Sequence, residues 1–435
     1  MTQRSRWIPI AVALAVSLTA SAEPARVAQA PAATSYAFVH GRWFDGTSFV
    51  AETFYAVSGA LTRRRPARID RTIDLAGGFV VPPFADAHTH HFDGPATRDQ
   101  VAMYLRDGVF YAKVQTDVRT SALRVASEVN RPDSVDVSYA HGALTSSYGH
   151  GVEIYEGIAL GLYRYPMPDG AVAKIRASHR LENDAYYVID TAADLAAKWP
   201  TIAAGRPDFL KLYLLTSEDH AARVARTDTV GDRGVDPKLV PEIVARGHAA
   251  GLRVSAHVDT VADYRVALAG GVDEMAHLPG YRFEPSEADE RYLLSDADAA
   301  ETARRGVWVI VAPVVSEGPP PDLQHRIDAV RAQNLGRLAR AGAHLAFGSD
   351  WYGTTPVPAV RYLARTGVFS RVELLRIWCE QTPRTIFPTR KLGRLADGYE
   401  ASFLVLAANP LDDFDAVTRI RLRFKQGQLL TVAAK

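Results

Sequence analysis

A single cysteine, Cys379, stands in the 435 residues. One chain therefore forms no internal disulfide, and an anchor through an N-terminal cysteine is excluded. Neither charge sign dominates: 50 Lys and Arg against 49 Asp and Glu leave a formal net charge of +1. Such a balance sets up no global field to recruit nucleic acid or an anionic membrane. No basic stripe interleaved with aromatics is present either, so nucleic acid is not an expected partner. Internal repeats are lacking beyond a strand–helix rhythm. The one long apolar run, Trp7 to Ala20, falls short of the roughly 20 residues that span a membrane as a helix.

That run reads as an export signal. Arg4 and Arg6 supply a short positive region before it, and Ala20-Ser21-Ala22 supplies small residues for cleavage ahead of Glu23. Residues 1–22 are thus expected to be a signal peptide and the protein exported, periplasmic or secreted. No stable membrane insertion is expected after cleavage. Export without disulfides places the burden of stability on a large core, which 435 residues can supply. Residues 23–35 are rich in Ala and Pro and read as a disordered lead-in.

Residues 36–84 show short strands and turns. Tyr36 to Phe44 alternates and ends at Asp45-Gly46, and Gly77-Gly78 separates Ile69–Leu75 from Phe79–Val81. Residues 85–389 change rhythm. Eight apolar runs read as strands: 84–88, 109–114, 135–140, 209–214, 253–257, 274–278, 307–314 and 344–349. Between them lie amphipathic stretches such as 191–204, 237–250, 261–269 and 327–341. Eight such units predict an α/β fold with a (β/α)8 TIM-type barrel. The connection 141–189 is long for a barrel, and long loops on a rigid scaffold often touch substrate. Residues 390–435 return to strands, so both chain ends are expected to meet in one small β-domain.

The chemistry concentrates at the strand ends. His88 and His90 close the first barrel strand in Asp86-Ala-His-Thr-His-His91. Residues two apart on a strand face one way, so both rings can grip one ion. Alone, this pair is equally read as two polar strand-end histidines. His257, His277 and Asp350 close three further strands at the same level, the level at which barrel active sites are built. Imidazoles plus a carboxylate suit zinc or another borderline divalent metal. Lys211 sits inside the apolar strand Phe209-Leu-Lys-Leu-Tyr-Leu214. A buried ammonium tends to lose its proton or find a partner. A neutral amine can add carbon dioxide and bridge two metals as a carbamate; otherwise Lys211 is a lysine snorkelling from a strand end. Tyr213, two residues on, shares its face and is a candidate substrate contact or barrel wall. His141, ending the third strand, is another candidate contact. His91 is expected to point away from the mouth, and His179, His220, His248 and His325 lack strand-end partners.

In this order the residues resemble the amidohydrolase superfamily. Asp208-Phe-Leu-Lys211-Leu-Tyr is similar to its lysine-bearing fourth strand, and Gly348-Ser-Asp350 to its eighth-strand aspartate. Ile73-Asp-Leu-Ala-Gly-Gly-Phe-Val-Val-Pro-Pro83 and Leu392-Gly-Arg-Leu-Ala-Asp-Gly398 resemble its flanking segments. Within it the chain looks nearest to imidazolonepropionase-like and Xaa-Pro dipeptidase-like members with two metals. The resemblance implies that both ends form a β-sandwich beside the barrel. It implies two divalent ions, most simply zinc. His88, His90 and Asp350 would hold one and His257 and His277 the other, with N6-carboxylated Lys211 and a hydroxide between them. Departures are Pro82-Pro83-Phe84 before the first-strand Asp86, and Ala401-Ser402-Phe403 in the return segment. In the long loop, Tyr148-Gly-His150-Gly resembles a Gly-Gly-His-Gly stretch of the dipeptidase-like members. It makes His150 a candidate substrate contact and leaves dipeptide specificity in question.

The expected reaction is hydrolysis of an amide or peptide-like C–N bond in a small molecule. Asp350 would serve as general base and then acid, with His277 or His150 against the developing oxyanion. Two alternatives stay open. One is a mononuclear cyclic-amide hydrolase or deaminase; the other is a non-catalytic periplasmic binding protein on the same fold. A homo-oligomer is compatible with the sequence, which names neither substrate nor pathway.

Overall fold

In the computed structural model the first alternating segment forms β1 (Ser35–Phe44), which turns back on β2 (Phe49–Val57). Residues 34–164, 166–313 and 320–431 are described. The signal peptide and nearly all of the lead-in lie outside them. The Asp45 carboxylate makes the turn, accepting the backbone N–H groups of Thr47 and Ser48, both at 2.8 Å. Short strands β3 (Ala60–Thr62), β4 (Arg71–Asp74) and β5 (Phe79–Val81) follow. Ser35, assigned from sequence to the disordered lead-in, is instead the buried first residue of β1. Its N–H donates to Asp70 at 2.8 Å and its hydroxyl to Arg68 O, so hydrogen bonds to a segment distant in sequence order it.

Much later in the chain, β16 (Phe403–Leu406), β17 (Ile420–Lys425) and β18 (Gln428–Leu429) join the same sheet. Its order is β18-β17-β16-β5-β1-β2-β3, with β4 on β1. The two ends therefore meet, strand against strand, at β5 and β16. Phe38, Phe403 and Phe424 seal the junction, with ring centroids 4.8–5.1 Å apart. Phe38 meets the other two rings edge-to-face while Phe403 and Phe424 stack, and such packing adds to the burial of large apolar area.

The eight strands expected between these ends all form. They are β6 (Phe84–Thr89), β7 (Val109–Val114), β8 (Asp136–Tyr139), β11 (Phe209–Tyr213), β12 (Arg253–His257), β13 (Glu274–Met275), β14 (Trp308–Val311) and β15 (His344–Phe347). Every pairing among them is parallel. Parallel strands buried on both faces read as continuous apolar runs, and nearly every position here is buried. β6-β7-β8 forms one sheet and β11 to β15 lie in a second. The sheets touch at both margins. Asp208 N–H donates to Tyr139 O beside β8. At the other margin, Ser349 and Asp350 N–H both donate to His88 O.

Two details differ from the sequence reading. β6 stops at Thr89 and β13 is two residues long, so His90 and His277 stand just beyond their strands rather than on them; Asp350 follows its strand as expected, though β15 ends at Phe347 rather than Ser349. The connection 141–189 is not a loop. It holds β9 (Ala143–Thr145), a helix at His150–Ala159, another at Ala171–Arg176 and β10 (Tyr186–Val188). Val152, Tyr155, Ile175 and Tyr186 give this excursion its own core, and β9 docks against β11. Two outer helices begin where sequence placed them, at Ala192 and Val261, while the stretch expected from 327 begins earlier, at Pro321. Thr191 and Thr260 make capping boxes with Asp194 and Asp263.

Candidate active site

β6 aims His88 and His90 at the C-terminal end of the parallel strands. Their Nε2 atoms lie 3.0 and 2.9 Å from a single oxygen, Asp350 Oδ1. Ligand atoms of the three residues all fall within 4.8 Å of one another, the geometry of a metal-binding group. His88 Nδ1–H donates to Ala276 O at 3.0 Å, which leaves its Nε2 with a lone pair. His90 Nδ1 is held likewise, 3.0 Å from Thr116 Oγ1. A second interaction that fixes the far ring nitrogen is the usual support of a histidine ligand.

Asp350 is delivered by an unusual backbone. Its φ is +46°, a left-handed conformation that costs a non-glycine residue of order 1 kcal/mol and persists only where surroundings enforce it. The two N–H bonds to His88 O enforce it. Asp86, buried beneath, accepts Ser349 N–H, Ser349 Oγ–H, His88 N–H and Tyr104 O–H at 2.7–3.1 Å. Burial raises the Asp86 carboxyl to about 6. Gly348 is required by the same closeness: a Cβ there would stand 2.6 Å from His88 Cβ.

His277 follows on, its Nε2 3.6 Å from Asp350 Oδ2 and its ring 4.6 Å from those of both His88 and His257. His257 is turned differently. Its Nε2–H donates to Asp259 Oδ1 at 3.0 Å, so Nδ1 is the nitrogen left for a ligand bond. Among the described residues, the Lys211 Nζ is buried without a hydrogen-bond partner, as is His277 Nδ1.

Electrostatics agree with this geometry. Burial lowers the Lys211 ammonium to about 7, and it drives His88 to about 4 and His257 and His277 well below the usual range. These rings are neutral at pH 7. Burial pushes the Asp350 carboxyl up, but charge on His88 and His277 and hydrogen bonds from His88 and His90, present only when those rings carry a proton toward it, outweigh burial and hold it well below the ordinary value. Neutral nitrogen lone pairs facing a carboxylate oxygen at about 3 Å repel one another and attract a cation. The donor set fits a divalent metal of borderline softness.

No protein-family model matches the chain. In sequence it is 23% identical over 317 residues to the imidazolonepropionase of Pseudomonas putida (strain GB-1), spanning 69% of this chain and 71% of that protein. It is 25% identical over 197 residues to the ochratoxinase of Aspergillus niger, a match spanning 44% of this chain and 40% of the relative. In structure it aligns with a crystal structure of an amidohydrolase at TM-score 0.66 and 21% identity, covering 92% of this chain and 100% of the other.

The chain has the amidohydrolase fold.

Within that amidohydrolase fold, His88, His90, Lys211, His257, His277 and Asp350 all line one cavity of about 770 Å³, and His150 and Tyr213 line it too. The His150 ring sits 5.0 Å from Tyr213 and 5.2 Å from His257. His141 does not belong to the lining. Its ring stacks on Tyr139 and its Nδ1 pairs with Asp117 at 2.8 Å. A strand end places a residue near the mouth but does not choose the rotamer, and the buried Asp117 carboxylate chooses it here. His91 faces away, accepting Gly353 N–H at 2.8 Å. His179 pairs with Glu182 and His248 with Asp273, outside the cavity.

The sequence reading missed several participants. Tyr281 stacks on His277 at 3.7 Å, with Arg282 beside it on the wall. The Pro279-Gly280 turn after His277 is the only signal that the chain doubles back there. Asp259 was also missed, although its spacing of two from His257 carries it to the same ring.

Proposed function

We propose that the chain is an exported, metal-dependent hydrolase of a carbon–nitrogen bond in a small-molecule amide. The observation that carries this is the convergence of His88 and His90 Nε2 on Asp350 Oδ1, with Lys211, His257 and His277 on the same cavity. The activities named for the imidazolonepropionase and ochratoxinase relatives support a hydrolase. On this reading the eight parallel strands close as a barrel and the terminal sheet folds as a sandwich, the margins noted above supporting the closure.

His88, His90 and Asp350 would hold one divalent ion, most simply zinc. His257 through Nδ1 and His277 would hold a second, with Lys211 joining the two as its carbamate. Lys211, lowered to about 7, has the neutral amine that carbon dioxide requires. Bound ions of this kind polarise a carbonyl and acidify water toward neutral pH. The chain's own residues do the rest. Asp350 accepts the proton of the attacking water and passes it to the leaving nitrogen. Its low basicity suits a group that must be ionised at the outset. His277 or His150 would stand against the charge that develops on the carbonyl oxygen, and Tyr281 holds the His277 ring by stacking.

A second reading is favoured by one specific observation. Among the described residues, only His88, His90 and Asp350 come within ligand distance of one another as a group, and His257 Nε2 is taken by Asp259. A single ion would then suffice, for a cyclic-amide hydrolase or deaminase. Metal content by mass spectrometry, on protein made with zinc and bicarbonate, separates the two. Two equivalents per chain, falling to one in Lys211→Ala, support the bridged centre. One equivalent, indifferent to that substitution, sinks it. Failure to cleave any amide, lactam or amino-heterocycle with a filled site leaves a non-catalytic binding protein.

A further inference from the structure

The cavity has two unlike ends. Its floor is the polar cluster of His88, His90, Lys211, His257, His277 and Asp350. Beyond it, Ile154, Tyr163, Trp351 and Tyr352 give the wall an apolar and aromatic stretch, with Arg164 and Arg282 as its charged members and no carboxylate among them. Trp351 and Tyr352 are 49% and 46% exposed, large side chains that packing does not cover among the described residues. Ile158 lies one helical turn beyond Ile154 and is 46% exposed on the same helix. Lone exposed apolar residues need no explanation, but a contiguous patch rimming a pocket marks a binding surface.

The position of the patch is set by the catalytic backbone. Trp351 and Tyr352 follow Asp350 directly, and its left-handed turn throws them onto the rim. The Tyr352 ring stands 5.6 Å from that of His90. The apolar wall therefore begins beside the metal-binding group, with no polar spacer between. A substrate reacting at the floor meets this wall within a few bonds of its scissile carbonyl. Flat aromatic groups gain most from such a surface, through area and offset stacking.

We infer that the substrate is an amide bearing a bulky aromatic group on, or within a few bonds of, the scissile carbonyl, and that Trp351 and Tyr352 select it. This rests on the hydrolase reading above for the position of the carbonyl. The wall would hold the aromatic body while the polar floor holds the amide, so recognition and chemistry divide between the two ends of one cavity.

The test uses two ketones that mimic amides but cannot be hydrolysed, 4-(1-naphthyl)-4-oxobutanoate and 4-oxopentanoate. They share the carbonyl and carboxylate and differ in the group on the carbonyl. Calorimetric titration of the metal-loaded full chain is expected to show the naphthyl ketone binding about tenfold tighter or more. In the Trp351→Ala/Tyr352→Ala double variant that preference should shrink to about threefold or less, with an unchanged melting temperature since both residues are exposed. Equal affinities, no binding by either probe, or a preference untouched by the double variant would each overturn the inference. Turnover of the matching amides, N-(1-naphthoyl)glycine and N-acetylglycine, reads the hydrolase proposal separately. Selective binding without cleavage would sink that proposal and leave the aromatic subsite standing.

Discussion

Asp350 and His88 are joined twice. Asp350 Oδ1 lies 3.0 Å from His88 Nε2, and Asp350 N–H donates to His88 O at 2.8 Å. The backbone bond holds Asp350 in its left-handed turn, and the turn points the carboxylate at the ring. Side chain and main chain are thus locked in one unit, so the fold itself sets the geometry of this candidate metal-binding group.

Asp350→Asn keeps the backbone bond but removes the proton acceptor and a charged ligand. We expect the fold to survive, with an unchanged circular dichroism spectrum. Amidase kcat should fall by about 10²–10⁴-fold, and bound metal should drop by at least one equivalent. Retention of both activity and metal would show that Asp350 is neither base nor ligand.

Lys211 makes the metal-stripped chain sensitive to pH. Its folded pKa is lowered by burial to about 7 from 10.5. Between those values the unfolded chain holds one more proton, so stability rises with pH across that window. Below about 7 the full penalty of burying the ammonium applies; above 10.5 it vanishes. Lys211→Met should raise stability at pH 7 by a few kcal/mol and flatten the rise. Urea unfolding from pH 6 to 10 checks this, and parallel curves for the two proteins would refute it.

Gly348→Ala puts a methyl group against His88, 2.6 Å from its Cβ. Backbone and a buried ligand side chain cannot both yield, so the strands must part. The expected cost is about 1–3 kcal/mol, with weaker metal retention against a chelator. A melting temperature and chelator profile equal to the wild type would mean that the margin between β6 and β15 is looser than its hydrogen bonds imply.

Deeper among the parallel strands, at the level of Lys211, Lys113 Nζ meets Glu274 Oε2 at 2.5 Å, both buried, with Arg253 3.3 Å from the other carboxylate oxygen. Removing one partner of such a pair strands the other charge. Lys113→Met should cost about 3 kcal/mol in chemical unfolding, and Glu274→Gln added to it should recover a good part. Neither residue lines the cavity, but both charges reach Lys211, so activity per folded molecule should change only modestly. A double variant no better than the single one would show that Arg253, rather than Lys113, carries the compensation.

Much of the scaffold was readable before the structure. The eight strands were visible because parallel strands buried on both faces must be apolar throughout, and Val109–Val114 and Arg253–His257 have the bounds expected of them. His88 and His90 were readable as a pair because a strand repeats every two residues. Lys211 was readable because an ammonium inside Phe-Leu-Lys-Leu-Tyr needs a reason. The excursion 141–189 was not readable as folded, since its strands β9 and β10 are three residues long and are stabilised by docking rather than by their own pattern.

What the sequence by itself determined is the list of chemical groups and the faces they occupy, since periodicity and residue type are local properties. Tertiary structure alone decided their mutual geometry. It turned His257 Nε2 onto Asp259, withdrew His141 to Asp117 and stacked Tyr281 on His277. It also set Trp351 and Tyr352 on the cavity rim. Each of these depends on a rotamer or a turn chosen by residues brought close only when distant strands meet. No pattern along the chain encodes those distances, because they are fixed by packing between segments rather than within them.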